Sequence, residues 1–236
     1  MAAVLSPIAY TFWDGSEMTT GILPRRYIET CASEPGDMKI RIATTDDAAA
    51  IREIYAPYVE STAITFEVEP PSVTAMAEQI AAGVETYPWL VCESGDGELV
   101  GYAAASQLRS KAAFQWSVEL SIYVDSAAQG NGIGTALYTA LLDILAEQGF
   151  FNAYVAITLP NEASVALHER LGFEAVGTFP GVGHKRDAWH DVQWWARTLG
   201  ERPSDPDPPK PFETLRGSPA IERAIDAGQA RLEQGE

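Results

Sequence analysis

Hydrophobic and polar positions follow two periods along this chain. Residues 1–37 sustain neither and close on the turn formers of ASEPGDM. Then Ile40 and Ile42 alternate with polar neighbours in KIRI, the pattern of a half-buried strand. Thr45 or Asp46 follows as a cap for a helix over 46–58, with Ile51, Ile54 and Tyr55 on one face. The same reading predicts helices over 72–83, 132–148 and 161–171. Strands are expected near 89–94, 99–106, 116–124, 152–158, 173–179 and 190–198. DGEL at 96–99, between two β-type runs, reads as a hairpin turn, which makes the sheet mixed rather than wholly parallel. The chain is therefore placed in the α/β (α+β) class.

Beyond position 200, ERPSDPDPPKPFE has the prolines and charge of an extended linker, and SPAIERAIDAGQARLEQ reads as a short solvated helix. Three regions are expected: an N-terminal extension over 1–38, flexible; a folded domain over 39–200; and a Pro/acid-rich tail with a short helix over 201–236. A hydrophobic fraction of 46% suits one core. No apolar run approaches the roughly 20 residues that span a bilayer, and no basic segment followed by an apolar stretch opens the chain, so it reads as cytoplasmic. Acidic residues outnumber basic ones 33 to 16, a formal charge of −17. That field opposes nucleic acid and anionic membranes as partners, and an anionic ligand would need local donors such as oriented backbone N–H groups. Cys31 and Cys92 stand far apart and imply no disulfide framework; Cys92, inside WLVCE, reads as core packing.

The segment LSIYVD leads into QGNGIG, Gln129 to Gly134. Ile133, Leu137, Leu141 and Leu145 then recur every four residues until Gly149. A helix start offers unpaired N–H groups and a positive dipole end, and glycine lets a phosphate approach the backbone. A P-loop would need lysine after the last glycine, where Thr135 stands. A dinucleotide-binding turn would need a glycine at that same position. On glycine content alone, a tight turn without ligand remains open.

Q-x-x-G-x-G at Gln129–Gly134, before an amphipathic helix, resembles the acyl-CoA pyrophosphate loop of the GNAT N-acetyltransferase superfamily. LPNEASVALHERLGFEAVG resembles its second hallmark. YVESTAITFEVEPP, YPWLV, WSVELSIYV and GHKRDAWHDVQWW are similar to the phosphinothricin and methionine sulfoximine N-acetyltransferase branch. The resemblance covers 39–200. It implies a GNAT fold, a mixed splayed central sheet flanked by helices, with acetyl-CoA as cosubstrate, no metal and a homodimer. Backbone groups of Gln129, Gly130, Asn131, Gly132, Ile133, Gly134 and Thr135 would hold the pyrophosphate. Main-chain groups of Ile122, Tyr123 and Val124 would pair with the pantetheine arm, and Asn161 and Ser164 would contact the cofactor. An N–H near Val124 would stabilise the oxyanion.

In WSVELSIYV, Trp116, Val118, Leu120, Ile122 and Val124 fall on one strand face and Ser117, Glu119, Ser121 and Tyr123 on the other. A polar face on a central strand suggests a cavity. An amino acid's α-amine is mostly protonated near neutrality, so attack on a thioester needs a base. Glu119, shielded beside Trp116, fits that task; its alternative is an ion pair with Arg109 or Lys111. His168 follows Asn161 and Ser164 on one helix face. The resemblance makes it the group that donates a proton to sulfur or relays one from the amine; alternatively it is a helix histidine with a backbone partner. Arg109, Ser110, Lys111 and Phe114, with Glu119, Leu120 and Ser121, resemble the branch's substrate-binding residues, and Phe66 would form an apolar wall; Lys111 and Phe114 stand where phosphinothricin-detoxifying members carry arginine and tyrosine, and the alternative for Arg109 and Lys111 is surface charge. His184, in a glycine-flanked loop, and His190 would be structural or line the pocket. The implied activity is acetyl transfer to the α-amine of a small amino acid of the phosphinothricin or methionine sulfoximine/sulfone kind. A GNAT enzyme for another amine, or a non-catalytic acyl-CoA-binding module, are the rivals.

Overall fold

The computed structural model describes residues 9–13, 18–22 and 38–234. Two compact units divide the chain at Glu34/Pro35. In the first, β1 (Ala9–Trp13) pairs antiparallel with β2 (Met18–Ile22). Otherwise the expected flexible extension, with Cys31, lies outside the described residues.

The second unit is built on a seven-stranded sheet. Its strands are β3 (Lys39–Ile42), β4 (Trp89–Glu93), β5 (Leu99–Gln107), β6 (Ser117–Val124), β7 (Asn152–Thr158), β8 (Glu174–Lys185) and β9 (Ala188–Thr198), in the order β3-β4-β5-β6-β7-β9-β8. Every neighbouring pair is antiparallel except β6 and β7. The expected hairpin at 96–99 joins β4 to β5, with Gly97 at φ 85°. Strand alternation divides the core between two layers. On one side Ala103, Ala105, Val118 and Leu120 pack beneath α3 (Ile133–Gln148). On the other, Val91 and Tyr102 pack with α1 (Ala48–Ser61) and α2 (Val73–Thr86). α4 (Glu162–Arg170) follows β7, and Gly149, at φ 93°, closes α3 where the sequence put its stop. Cys92 is buried and free, and burial pushes its thiol up to about 12, as a core residue requires.

Two expectations are corrected. The segment read as linker and solvated helix belongs to the second compact unit, which runs to the C-terminus. Phe212, in the single turn α5 (Phe212–Leu215), is fully buried. α6 (Pro219–Gln234) buries Ile221, Ala224 and Leu232 in the core shared with α3. Gly228 brings the two helices together: a Cβ there would stand 2.7 Å from Ala136 O and 2.9 Å from Ala140 Cβ. The Gln229 amide accepts from Ile40 N (3.0 Å) and donates to Met38 O (2.6 Å), satisfying part of the β3 edge. The second correction concerns 180–188. His184 lies not in a loop but within β8, which runs on to Lys185 before a tight turn at Arg186 and Asp187, both left-handed at φ 53° and 58°. The glycines read as loop formers sit in a register shift between Phe179 and Gly183.

Candidate active site

The site begins where the sheet comes apart. β6 and β7 are in parallel register only from Ser117 to Glu119 against Asn152 to Tyr154, and beyond Glu119 they are no longer paired. Asp125 N donates to Val100 O, so on β6 the odd-numbered residues pair with β5. The main-chain groups of Leu120, Ile122 and Val124 therefore face the opening. Tyr123 differs from the expectation here, since its backbone is committed to β5 opposite Tyr102. Val124 O accepts from Tyr58 Oη at 2.5 Å, and that hydroxyl in turn accepts from Gln129 Nε2 at 2.8 Å. The sequence reading missed Tyr58, which ties α1 to both the open strand and the glycine turn.

A cavity of about 400 Å³ occupies this opening. Phe66, Glu119, Leu120, Ser121, Ile122, Tyr123, Asn161, Ser164 and His168 line it, together with Tyr138 and Trp194. Two sequence motifs about 40 residues apart thus meet at one void. Glu119 is half-buried, and burial raises its carboxyl above the ordinary value while the charge of Arg109 opposes the rise. Its expected shield, Trp116, instead precedes β6 and donates Nε1 to Asp207 O (2.9 Å). Glu119 makes no ion pair among the described residues, and Arg109 lies over the Trp194 ring, 5.6 Å from its centroid.

His168 is 2% exposed, edge-on to Tyr138 (5.3 Å) and Phe173 (5.2 Å). Its Nδ1 lies 2.7 Å from Ser164 O. A carbonyl oxygen only accepts, so Nδ1 carries the hydrogen and the neutral ring's lone pair is on Nε2. Nε2 is buried without a partner. Burial lowers the His168 pKa below 6.5, against the hydrogen bond to Ser164. Near neutrality this side chain is thus an uncharged proton acceptor with no Nε2 hydrogen to give to sulfur. Of the two roles expected for it, only the relay from the amine matches that tautomer.

The glycine turn has the form a diphosphate needs. Gly130 and Gly132 stand at φ 83° and 75°, and Gly132 caps α3 with no side-chain hydrogen bond. None of the backbone N–H groups from Gln129 to Thr135 has a partner among the described residues. A Cβ on Gly130 would meet nothing within 4 Å, leaving the cradle open, whereas one on Gly134 would stand 3.1 Å from Leu167. Asn161 caps α4, its Oδ1 accepting from Ser164 N (3.2 Å). These groups fit acetyl-CoA.

Not every expected residue gathers here. Arg109, Ser110, Lys111 and Phe114 are exposed and do not line the cavity, because the chain leaves β5 in a short turn at Ala112–Phe114 before re-entering as β6; Arg109 reaches only the edge of it, over Trp194. His184 stacks edge-on to Trp189 (5.1 Å), and His190 Nε2 contacts Lys185 O (2.9 Å). Trp194 and Tyr138 went unpredicted because each sits in a run of apolar residues, where a wall and a core position look alike. No group of His, Cys, Asp or Glu among the described residues is arranged to hold a metal ion.

Known proteins resemble this chain in sequence and fold. The Acetyltransferase (GNAT) domain matches residues 40–194. A phosphinothricin N-acetyltransferase of Streptomyces viridochromogenes is 38% identical over 178 residues, 75% of this chain and 96% of its own. An L-methionine sulfoximine/L-methionine sulfone acetyltransferase of Pseudomonas paraeruginosa is 36% identical over 168 residues, 71% of this chain and 98% of its own. Among solved structures, a phosphinothricin acetyltransferase of Sinorhizobium meliloti in complex with AcCoA superposes with a TM-score of 0.69 at 33% identity, covering 78% of this chain and 98% of that one. The splayed sheet, the unpaired glycine turn and these likenesses together place the chain in the GNAT acetyltransferase family.

Proposed function

We propose that the protein transfers an acetyl group from acetyl-CoA to the α-amine of a small amino acid of the phosphinothricin or methionine sulfoximine/sulfone type. The observation that carries this reading is Glu119, a half-buried carboxylate that forms no ion pair among the described residues, held in the cavity at the point where β6 and β7 part. Acetyl-CoA supplies an activated thioester. The unpaired N–H groups of Gln129 to Thr135 bind its diphosphate, Asn161 and Ser164 border it, and the open β6 edge at Ile122 and Val124 receives the pantetheine amides as a strand would. Glu119 takes the proton that keeps the amine from attacking, and His168 Nε2 is the second acceptor in the same cavity. An N–H of the open edge near Val124 is the donor for charge developing on the acyl oxygen. Arg109, steadied on Trp194, is the cation for the acceptor's acidic end. Arg109 is exposed like Lys111 and Phe114 but alone of the three is held against a lining residue, Trp194; with no second cation at the cavity among the described residues, sulfone and sulfoximine substrates are favoured over a phosphinate.

A thiol-release assay with phosphinothricin, methionine sulfoximine, methionine sulfone, ordinary amino acids, a peptide N-terminus and a polyamine tests this. Turnover confined to the peptide or polyamine overturns the substrate class, and no turnover with any of them overturns the catalytic reading. No described helix is long and apolar enough to cross a membrane. We assign the protein to the cytoplasm as a homodimer on the family likeness; the exposed Val176, Phe179, Val182 and Trp189 of the β8–β9 hairpin support the dimer, which light scattering would detect.

A further inference from the structure

A second cavity of about 290 Å³ lies on the α1–α2 side of the sheet and plays no part in the chemistry above. Its wall is aromatic. Tyr102 stacks between Trp89 (6.1 Å, 5°) and Tyr123 (5.4 Å, 27°), and Tyr55 meets Tyr123 edge-on (4.8 Å, 72°). Two carboxylates, Glu67 and Glu69, also line it; both residues are exposed and neither forms an ion pair among the described residues. No Lys, Arg or His is among the described lining residues. Among the described residues, two opposing charges border the void without lining it: Arg52, whose Nε donates to Pro71 O at the rim (2.8 Å), and Lys185, whose charge acts on Glu67 but whose ammonium is engaged by Thr65 O (2.8 Å).

Tyr102 adds an independent observation. It is 4% exposed, lines the cavity, and its hydroxyl has no hydrogen-bond partner among the described residues. Its oxygen is not sealed off, so it is reached from the cavity and can accept from a ligand's ammonium in place of water. Burial keeps the phenols of Tyr55, Tyr102 and Tyr123 protonated, so they offer neutral oxygen acceptors and electron-rich rings. Aromatic faces, phenol oxygens and two carboxylates together select one ligand chemistry. An anion meets Glu67 and Glu69, a neutral apolar molecule leaves those groups unused, and an organic ammonium uses all three. The chain's net charge of −17 raises the local concentration of such cations.

We propose that this cavity binds the ammonium group of a small aliphatic amine. Ser121 and Tyr123 line both cavities, so the bound cation adjoins the acetyl-transfer cavity. It is either the distal end of a dibasic acceptor or a free cation beside the site. The proposal does not depend on the substrate class given above.

Calorimetric titration of the full chain with 1,4-diaminobutane, at low and high salt, is the test. Saturable binding that weakens with salt is expected, with none for the neutral isostere 1,4-butanediol. The double variant Glu67→Gln/Glu69→Gln should weaken binding at least tenfold and Tyr102→Phe several-fold, while Glu119→Gln should leave it intact. The exposed glutamates tolerate glutamine without loss of fold, and methionine sulfone acetylation by the double variant reports separately on the transfer reaction. No saturable binding, binding that survives the double substitution, or binding lost in Glu119→Gln overturns the proposal. Thiol release with the diamine then separates the two sources: turnover identifies a dibasic acceptor, and binding without turnover a free cation.

Discussion

Burial moves Glu119 and His168 in opposite directions, and both shifts favour the neutral form. The folded chain holds the Glu119 proton to higher pH than the unfolded chain, whose carboxyl titrates near 4.5. Stability therefore falls as pH rises from that value through the raised one. Glu119→Gln should melt above the wild type at pH 8 while losing about 100-fold or more in turnover and the acid limb of the pH–rate profile. Scanning calorimetry and steady-state rates check the two halves. For His168 the unfolded chain binds more protons just below 6.5, so its contribution is present above that pH and lost as pH falls through the window down to the lowered value. His168→Phe, which keeps the ring packing on Tyr138 and Phe173, should flatten the fall in melting temperature between pH 7 and pH 5 and slow turnover by roughly 100-fold. The positions of both residues were legible in the sequence, from strand alternation and helical spacing. The proton inventory of His168 was not, because it depends on Ser164 O lying 2.7 Å from one nitrogen and on nothing reaching the other.

Among the elements, the strand–glycine turn–helix unit was the most legible, since its chemistry is local. A positive φ and an uncapped helix start are requirements of a few consecutive residues. Gly130 and Gly97 make a matched pair, at φ 83° and 85°, where an added methyl meets no protein atom within 4 Å. Alanine at either should cost about 1–2 kcal/mol through backbone strain alone. Only Gly130→Ala should also raise KM for acetyl-CoA, by about tenfold, because its methyl enters the diphosphate cradle; denaturant midpoints and saturation kinetics test this. The β8–β9 hairpin was misjudged for the converse reason. Its turn uses Arg186 and Asp187 at positive φ; aspartate is at home there, but arginine is not, and no glycine or asparagine marks the pair as a two-residue turn.

For the whole molecule, the largest departure from the sequence reading is the C-terminal segment. Ile221, Ala224, Gly228 and Leu232 recur at spacings of three and four, so the apolar stripe was present in the text. What receives that stripe is α3, more than 70 residues earlier, and no local pattern names a partner at that separation. Phe212→Ala should destabilise the fold by about 3–5 kcal/mol, the range for a fully buried aromatic, whereas a passive linker would leave urea unfolding unchanged. By itself the sequence determined the class of sheet, the order of its elements, the glycine turn and the faces on which Glu119 and His168 lie, because periodicity and backbone conformation are set by neighbours in the chain. Only the tertiary structure decided where β6 and β7 part, which main-chain groups face that gap, which side chains lack a partner, and that the tail belongs to the core. Each of these depends on which distant surfaces meet and on which polar groups are left unpaired when they do.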